Sequence, residues 1–162
     1  MNKNYYNRLY NKAKRAIGDR TPLKADCGQL CDGACCKGDE NTGMLLFPFE
    51  ETTLETKRTR ERTLAVCNGY CNRDERPLSC MIFPFFPCID ENGEITVKPD
   101  LRGTPVCPML SHTDEISFDT VFLRRVARVG RILSRDASCR KMLKEITGEI
   151  EDYEKMQKLF GK

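Results

Sequence analysis

Ten cysteines in a chain of 162 residues are the side chains best suited to chemistry. Nine of them lie between residues 25 and 118, where several are grouped with glycines. Thiolates are soft ligands that bind zinc, copper(I) or iron–sulfur clusters, and a tetrahedral site needs four donors close together. Glycine permits the sharp turns that bring neighbouring cysteines to one ion. The pattern therefore predicts thiolate metal sites, with disulfides or scattered free thiols as the alternatives.

The cysteines occur in short motifs with different surroundings. In chain order the motifs are Cys27-Gly-Gln-Leu-Cys31-Asp-Gly-Ala-Cys35-Cys36, Cys67-Asn-Gly-Tyr-Cys71, Arg76-Pro77-Leu78-Ser79-Cys80, Pro87-Cys88 and Cys107-Pro108. Adjacent side chains project in different directions, so Cys35 and Cys36 can serve different centres. Cys88 fits a strand better than a ligand loop. Cys139 lies on the apolar face of a predicted helix, where a small buried side chain is the simpler interpretation.

These motifs together resemble the YkgJ-like cysteine-cluster family, described as a zinc- or iron-chelating domain. The resemblance covers roughly residues 27–108, half of the chain. By position it implies eight metal ligands, enough for two four-thiolate sites: Cys27, Cys31, Cys35, Cys36, Cys67, Cys71, Cys80 and Cys107. The chain departs from the family in two places. Three residues separate the first two cysteines where the family name implies two, and Met81 follows Cys80 where an arginine is common.

Two features beside the motifs could support a metal site. Arg76 is the predicted cofactor-binding residue because its guanidinium can donate hydrogen bonds to thiolates. An ion pair with Asp74 or Glu75 is the alternative. The run of residues 83–87, rich in phenylalanine and proline, is predicted to be core beside the site, where a dry shell would tune a cluster's potential.

The remaining sequence predicts the elements that must position these residues. Apolar spacing favours helices over residues 2–17, 117–134, 136–147 and 150–160. Residues 24–43 are predicted to form a loop, 44–47 a strand, and 50–62 a polar helix. Residues 83–89 and 94–97 flank an Asn-Gly dipeptide and predict a hairpin.

Charge is unevenly distributed along the chain. Residues 25–118 carry nine basic and sixteen acidic residues, whereas residues 1–24 and 119–144 each have a net charge of +6. Four arginines, Arg124, Arg128, Arg131 and Arg135, fall opposite the apolar stripe of the 117–134 helix. A solvated helix face is the simpler interpretation of these arginines, so specific binding of nucleic acid is not expected. The expected partners of the protein are metal ions, with a protein partner as a further candidate.

The sequence also predicts that the chain does not belong to several classes of protein. No apolar run approaches about 18 residues, which predicts no membrane association, and the polar N-terminus lacks the apolar segment of a signal peptide. The chain is therefore expected to be cytoplasmic. It has no glycine-rich nucleotide fingerprint, and His112 is the one histidine, expected at the surface.

The resulting hypothesis is a small α+β protein forming a single domain over residues 1–162. An irregular, metal-stapled core with a short hairpin, residues 24–110, packs against N- and C-terminal helices, the latter at 117–160. Its expected function is cytosolic metal binding through thiolates, with Zn²⁺ favoured over a [4Fe–4S] cluster. An iron–sulfur enzyme resembling a protein lysine-N-methylase is one alternative, although an enzyme is not favoured. A zinc-stabilised nucleic-acid-binding protein is the other.

Overall fold

The described part of the chain, which is residues 2–37, 43–59, 62–69 and 72–160 of a computed structural model, contains both helices and strands. The helices are α1 (Lys3–Ile17), α2 (Gly28–Cys31), α3 (Leu78–Ile82), α4 (Thr120–Leu133) and α5 (Ala137–Phe160). The strands are β1 (Met44–Leu45), β2 (Glu55–Arg58), β3 (Thr63–Val66), β4 (Phe85–Ile89) and β5 (Ile95–Pro99). The predicted α+β class is confirmed.

Helix α1 forms where the sequence predicts it and ties the start of the chain to α4. The side chain of Asn2 caps it by accepting a hydrogen bond from the backbone N–H of Tyr5 at 3.3 Å. Ala13 and Ile17 on its apolar face are fully buried. Arg125 of α4 donates a hydrogen bond to the Ile17 carbonyl at 3.0 Å, satisfying a backbone group that the helix end leaves without an intrahelical partner.

Helix α4 packs against both α1 and the β4–β5 hairpin. The predicted apolar stripe is confirmed, since Phe122, Val126, Val129 and Leu133 are all fully buried. The hairpin is antiparallel, and every residue of β4 is buried. At Gly130 a Cβ atom would stand 2.5 Å from the Pro87 ring and 2.8 Å from Ile95, so only glycine allows the helix to approach the hairpin this closely.

Helix α5 is longer than predicted. The sequence favours an end at Gly148, but the helix runs on to Phe160. Gly148 is exposed, with open space where a side chain would be, while Thr147 and Ile150 beside it are buried. Burial of these neighbours outweighs the roughly 1 kcal/mol that glycine costs in a helix interior.

A small antiparallel sheet with the order β1–β3–β2 lies apart from the hairpin. The predicted helix at 50–62 is wrong, because residues 55–58 form β2 and pair with β3. All four β2 residues are exposed, so they lack the apolar alternation that predicts a half-buried strand. Pairing with β3, whose Ala65 is buried, determines this strand.

The main core lies between α1, α3, α4, α5 and the hairpin. A second, smaller cluster of buried side chains surrounds Cys107, Met109 and Leu110. Neither α2 nor the short 3₁₀ turn at Ala34–Cys36 contributes a buried residue. Within the described ranges, every helix is too short or too polar to cross a membrane.

Candidate functional site

Seven cysteines line one cavity of about 140 Å³. They come from four separate stretches of the chain and are Cys27, Cys31, Cys35, Cys36, Cys67, Cys80 and Cys107. These are seven of the eight cysteines that the sequence predicts as ligands. The eighth, Cys71, lies outside the described residues. Burial differs within the set, since Cys67 and Cys107 are buried and the other five are half-buried.

A tight reversal of the chain folds the first motif back on itself. Helix α2 ends at Asp32, and both Asp32 and Gly33 are left-handed, with φ values of 50° and 62°. Residues in this conformation turn the chain sharply, and glycine adopts it without strain. The 3₁₀ turn Ala34–Cys36 follows directly. The reversal thereby returns Cys35 and Cys36 to the cavity that Cys27 and Cys31 already line.

Strand β3 carries Cys67 to the same cavity. An isolated antiparallel bridge joins Lys37 to Asn68, so the residue after Cys36 pairs with the residue after Cys67. Cys67 lies close enough to Cys36 to lower the pKa of the Cys36 thiol. The backbone pairing therefore brings together two motifs that are 31 positions apart in the sequence.

A buried carboxylate fixes the helix that carries Cys80. Glu50 Oε1 accepts a hydrogen bond at 2.7 Å from the backbone N–H of Leu78, the first residue of α3. Glu50 Oε2 accepts another at 3.2 Å from the backbone N–H of Phe47. Burial raises the pKa of Glu50, whereas these two hydrogen bonds and the nearby charge of Lys14 lower it and only partly offset the effect of burial. Sequence reasoning missed Glu50, because nothing distinguishes it there from its neighbour Glu51.

Cys107 lines the same cavity from a separate part of the chain. Its side chain is buried with Met109 and Leu110, and Cys27 packs against this cluster. Burial raises the pKa of the Cys107 thiol, although the backbone N–H groups of Met109 and Leu110 donate to its sulfur and partly oppose the shift. Pro108 begins a 3₁₀ turn, and Met109 in this turn also lines the cavity.

Hydrogen bonds between thiols set their acidity. The bond from Cys36 is the main reason that the pKa of Cys35 lies below its usual value, although burial opposes it. The same bond, with burial, raises the pKa of Cys36, and the charge of Arg76 acts in the opposite direction. Burial raises the pKa of Cys27. The lowered pKa of Cys35 favours its thiolate form, which is the form that binds metal.

Arg76 and several apolar side chains complete the cavity wall. Arg76, the predicted cofactor-binding residue, lines the cavity and acts electrostatically on Cys36. Met44, Leu54 and Met81 are among the apolar lining residues, and so is Phe83 from the predicted shell. The other two phenylalanines of that run, Phe85 and Phe86, are buried in the main core.

Two cysteines and the histidine lie elsewhere. Cys88 is buried in β4, in agreement with its predicted position on a strand. Cys139 is buried in α5, in agreement with its predicted position on an apolar helix face, and its sulfur lies 3.4 Å from the Tyr10 hydroxyl. His112 is exposed beside Glu115 at 3.5 Å, which confirms its surface position.

The thiols are neighbours, but they do not form a closed coordination sphere. Among the described residues, no group of three or more His, Cys, Asp or Glu side chains has an arrangement that could hold a metal ion. Four thiolates about 2.3 Å from one zinc ion would therefore require these side chains to move closer together.

No family model, curated protein or solved structure matches the chain. The resemblance to the YkgJ-like cysteine-cluster family stays a prediction carried by the motifs. The site must therefore be interpreted from its own residues.

The arginine face of α4 is the remaining candidate for binding. Arg124, Arg128, Arg131 and Arg135 are all exposed. We expect only weak binding to duplex DNA that disappears near physiological salt, because contact with each phosphate would contribute a log–log salt slope of about −0.9. A salt titration that compares the parent with the variant carrying glutamine at all four positions checks this. Sub-micromolar binding at physiological salt that the glutamine variant loses would contradict it.

Proposed function

We propose that this protein binds metal through the thiolates that line the cysteine cavity. The observation that supports the proposal is the selective placement of the cysteines. All seven described cysteines of the predicted ligand set share one cavity, whereas Cys88 and Cys139 lie in the main core. Unrelated buried cysteines would have no reason to converge from separate segments into one place.

The chemistry of the donors favours zinc as the bound metal. Thiolates suit zinc, and binding would displace the protons that burial keeps on Cys27 and Cys107. Zinc has no preferred geometry from its d-electrons, so it tolerates ligands that must be drawn together from flexible turns. A [4Fe–4S] cluster is the second candidate, because the methionine and phenylalanine side chains in the wall would give a cluster the dry surroundings that tune its potential.

The proposed location is the cytoplasm. The nine described cysteines form no disulfide with one another, and reduced thiols persist in that compartment. The enzymatic alternative, an iron–sulfur-dependent protein modification, stays a prediction from the resemblance.

Metal analysis after anaerobic purification tests the proposal directly. We expect a colourless protein with zinc bound and no iron. A brown protein with absorbance near ~400 nm would show that the bound group is an iron–sulfur cluster and not zinc. A fully reduced protein that takes up neither zinc nor iron would refute metal binding.

Single cysteine variants test which thiols hold the metal. We expect Cys36→Ala and Cys80→Ala to lose bound zinc, because removal of one of four thiolates opens a tetrahedral site. Cys88→Ala and Cys139→Ala are matched controls that should keep the zinc content of the parent. Zinc per chain, measured with a chromogenic chelator on the folded protein, checks this. Full zinc occupancy in Cys80→Ala would show that the ligand set is wrong.

A further inference from the structure

A second cavity, of about 470 Å³, lies beside the cysteine cavity. Met44, Phe83 and Val106 line both cavities, so the two share a wall. Of the cysteines that the structure describes, Cys35 alone lines the second cavity. Its volume falls in the range of about 300–1,000 Å³ that is typical of small-molecule sites. Metal binding by thiolates therefore leaves this larger space without a role.

Much of the wall of the second cavity is apolar and aromatic. Phe47 and Phe86 line it with their ring planes 14° apart and their centroids separated by 6.3 Å. Both belong to the main core, as do three further lining residues, Ile82, Phe85 and Met142. Side chains in a packed core present a preformed surface, and aromatic rings pack favourably against another ring. This part of the wall suits a ligand with an aromatic body.

Two arginines belong to the polar part of the wall. Arg62 donates two hydrogen bonds to Glu149 of α5, one of them at 3.0 Å. Arg102 donates to both carboxylate oxygens of Asp100, at 2.8 and 2.7 Å, and to Glu149 at 3.2 Å. The guanidinium carbon of Arg102 stands 5.6 Å from the centre of the Phe86 ring. These contacts hold both guanidinium groups in place before any ligand arrives.

Both guanidinium groups keep hydrogen-bond donors for a ligand. Each carries five N–H hydrogens, whereas Arg62 uses two and Arg102 uses three in bonds to described residues. Asp100 also lines the cavity, but Arg102 already donates to both of its oxygens. Two arginines and one aspartate give the described wall a net charge of +1. A single carboxylate matches this charge, and its geometry suits guanidinium donors.

Ser79 adds a polar atom that lacks a partner. It lies in α3 and lines the second cavity. Its Oγ atom is buried and has no hydrogen-bond partner among the described residues. Buried polar groups in proteins nearly always have a partner. A molecule bound in the cavity would supply one.

We infer that the second cavity binds a small aromatic monocarboxylate that carries a further polar group. The carboxylate accepts hydrogen bonds from Arg62 and Arg102, the ring packs against Phe47 and Phe86, and a polar atom of the ligand pairs with Ser79. This binding site goes beyond the proposed function. It does not depend on a bound metal, because none of these five residues is a predicted metal ligand.

Titration of the reduced, full-length chain with 3-(4-hydroxyphenyl)propionate tests the site. We expect a dissociation constant of about 1 mM or below, as the size of this probe allows. The corresponding neutral amide should bind about tenfold more weakly or worse, because it lacks the charge-assisted bonds to arginine. Isothermal titration calorimetry, or saturation-transfer NMR on the ligand, measures both.

Two variants with matched controls locate the bound probe. Arg62→Gln should weaken binding about tenfold, whereas Arg124→Gln, the same change at an exposed position on α4, should leave it unchanged. Ser79→Ala should weaken binding about 2–10-fold, and Ser111→Ala at an exposed position should not. Ser79→Ala removes a hydroxyl without a described partner, so its thermal midpoint should equal or exceed that of the parent.

The outcomes that would overturn the inference are distinct. No binding of the acid at millimolar concentration would refute the site. Equal affinity for the acid and the amide would refute recognition of a carboxylate. Parental affinity in a folded Arg62→Gln or Ser79→Ala protein would place the probe outside this cavity. Each result stands whether or not the same protein binds zinc, so the proposed function is tested separately.

Discussion

If metal is bound as we propose, its removal under reducing conditions is expected to lower the thermal midpoint by about 10 °C or more. Helix α2 and the turn Ala34–Cys36 bury no residues, so apolar packing does little to hold them in place. Structural zinc contributes about 10–16 kcal/mol in small domains, which is comparable with the whole stability of about 5–15 kcal/mol of an ordinary protein. At about 2–4 °C per kcal/mol, the loss of even ~4 kcal/mol produces the expected shift.

The location of the change is as informative as its size. Helices α1, α4 and α5 share the main core, so hydrogen exchange should rise first in residues 26–37 and least in α4. The control is Cys80→Ala, which should already lack metal and show a smaller further shift with chelator. An identical melting curve for the stripped and loaded parent would contradict the prediction.

Glu50→Ala is expected to destabilise the protein by about 2–5 kcal/mol and to weaken metal binding. The substitution leaves the backbone N–H groups of Leu78 and Phe47 buried without their acceptor, at a cost of about 1–3 kcal/mol each. Helix α3 then loses the bond that fixes its first residue, and Cys80 moves with it. Denaturant unfolding and a zinc titration measure the two effects.

Glu51→Ala is the matched control for this substitution. Glu51 lies next to Glu50 in the sequence, but its side chain is half exposed and paired with Lys3 at the surface, at 2.7 Å. Such pairs contribute about 0–1 kcal/mol. Equal stability of the Glu50→Ala and Glu51→Ala proteins would mean that the buried carboxylate does not hold α3.

The elements that sequence predicted well are those whose burial follows a simple period. Helix α4 has an apolar stripe at helical spacing, and the hairpin has an Asn-Gly turn between apolar arms, so local pattern and tertiary burial agree. Strand β2 was missed because none of its side chains is buried, and its structure comes from pairing with β3. The extension of α5 beyond Gly148 depends on neighbours that only the folded core provides.

The candidate site was predictable in composition but not in arrangement. The spacing of the motifs identified the cysteines, and the separate nature of Cys88 and Cys139 followed from their predicted elements. The bridge between Lys37 and Asn68 and the carboxylate of Glu50 could not be predicted, because each depends on contacts between distant parts of the chain.

The packing of α1 against α4 has a consequence for biosynthesis. Arg125 and Ile17, which join these helices, are 108 positions apart, and the motifs from Cys27 to Cys107 lie between them. A ribosome adding about 5–20 residues per second releases these thiols seconds before α4 and α5 can complete the core. A metal that joins Cys27 to Cys80 would roughly halve the length of the loop that must close when Ile17 meets Arg125. The free-energy cost of loop closure would fall by only about 0.6 kcal/mol. Early metal uptake would therefore act mainly by shielding nascent thiols from oxidation, before the C-terminal helices exist.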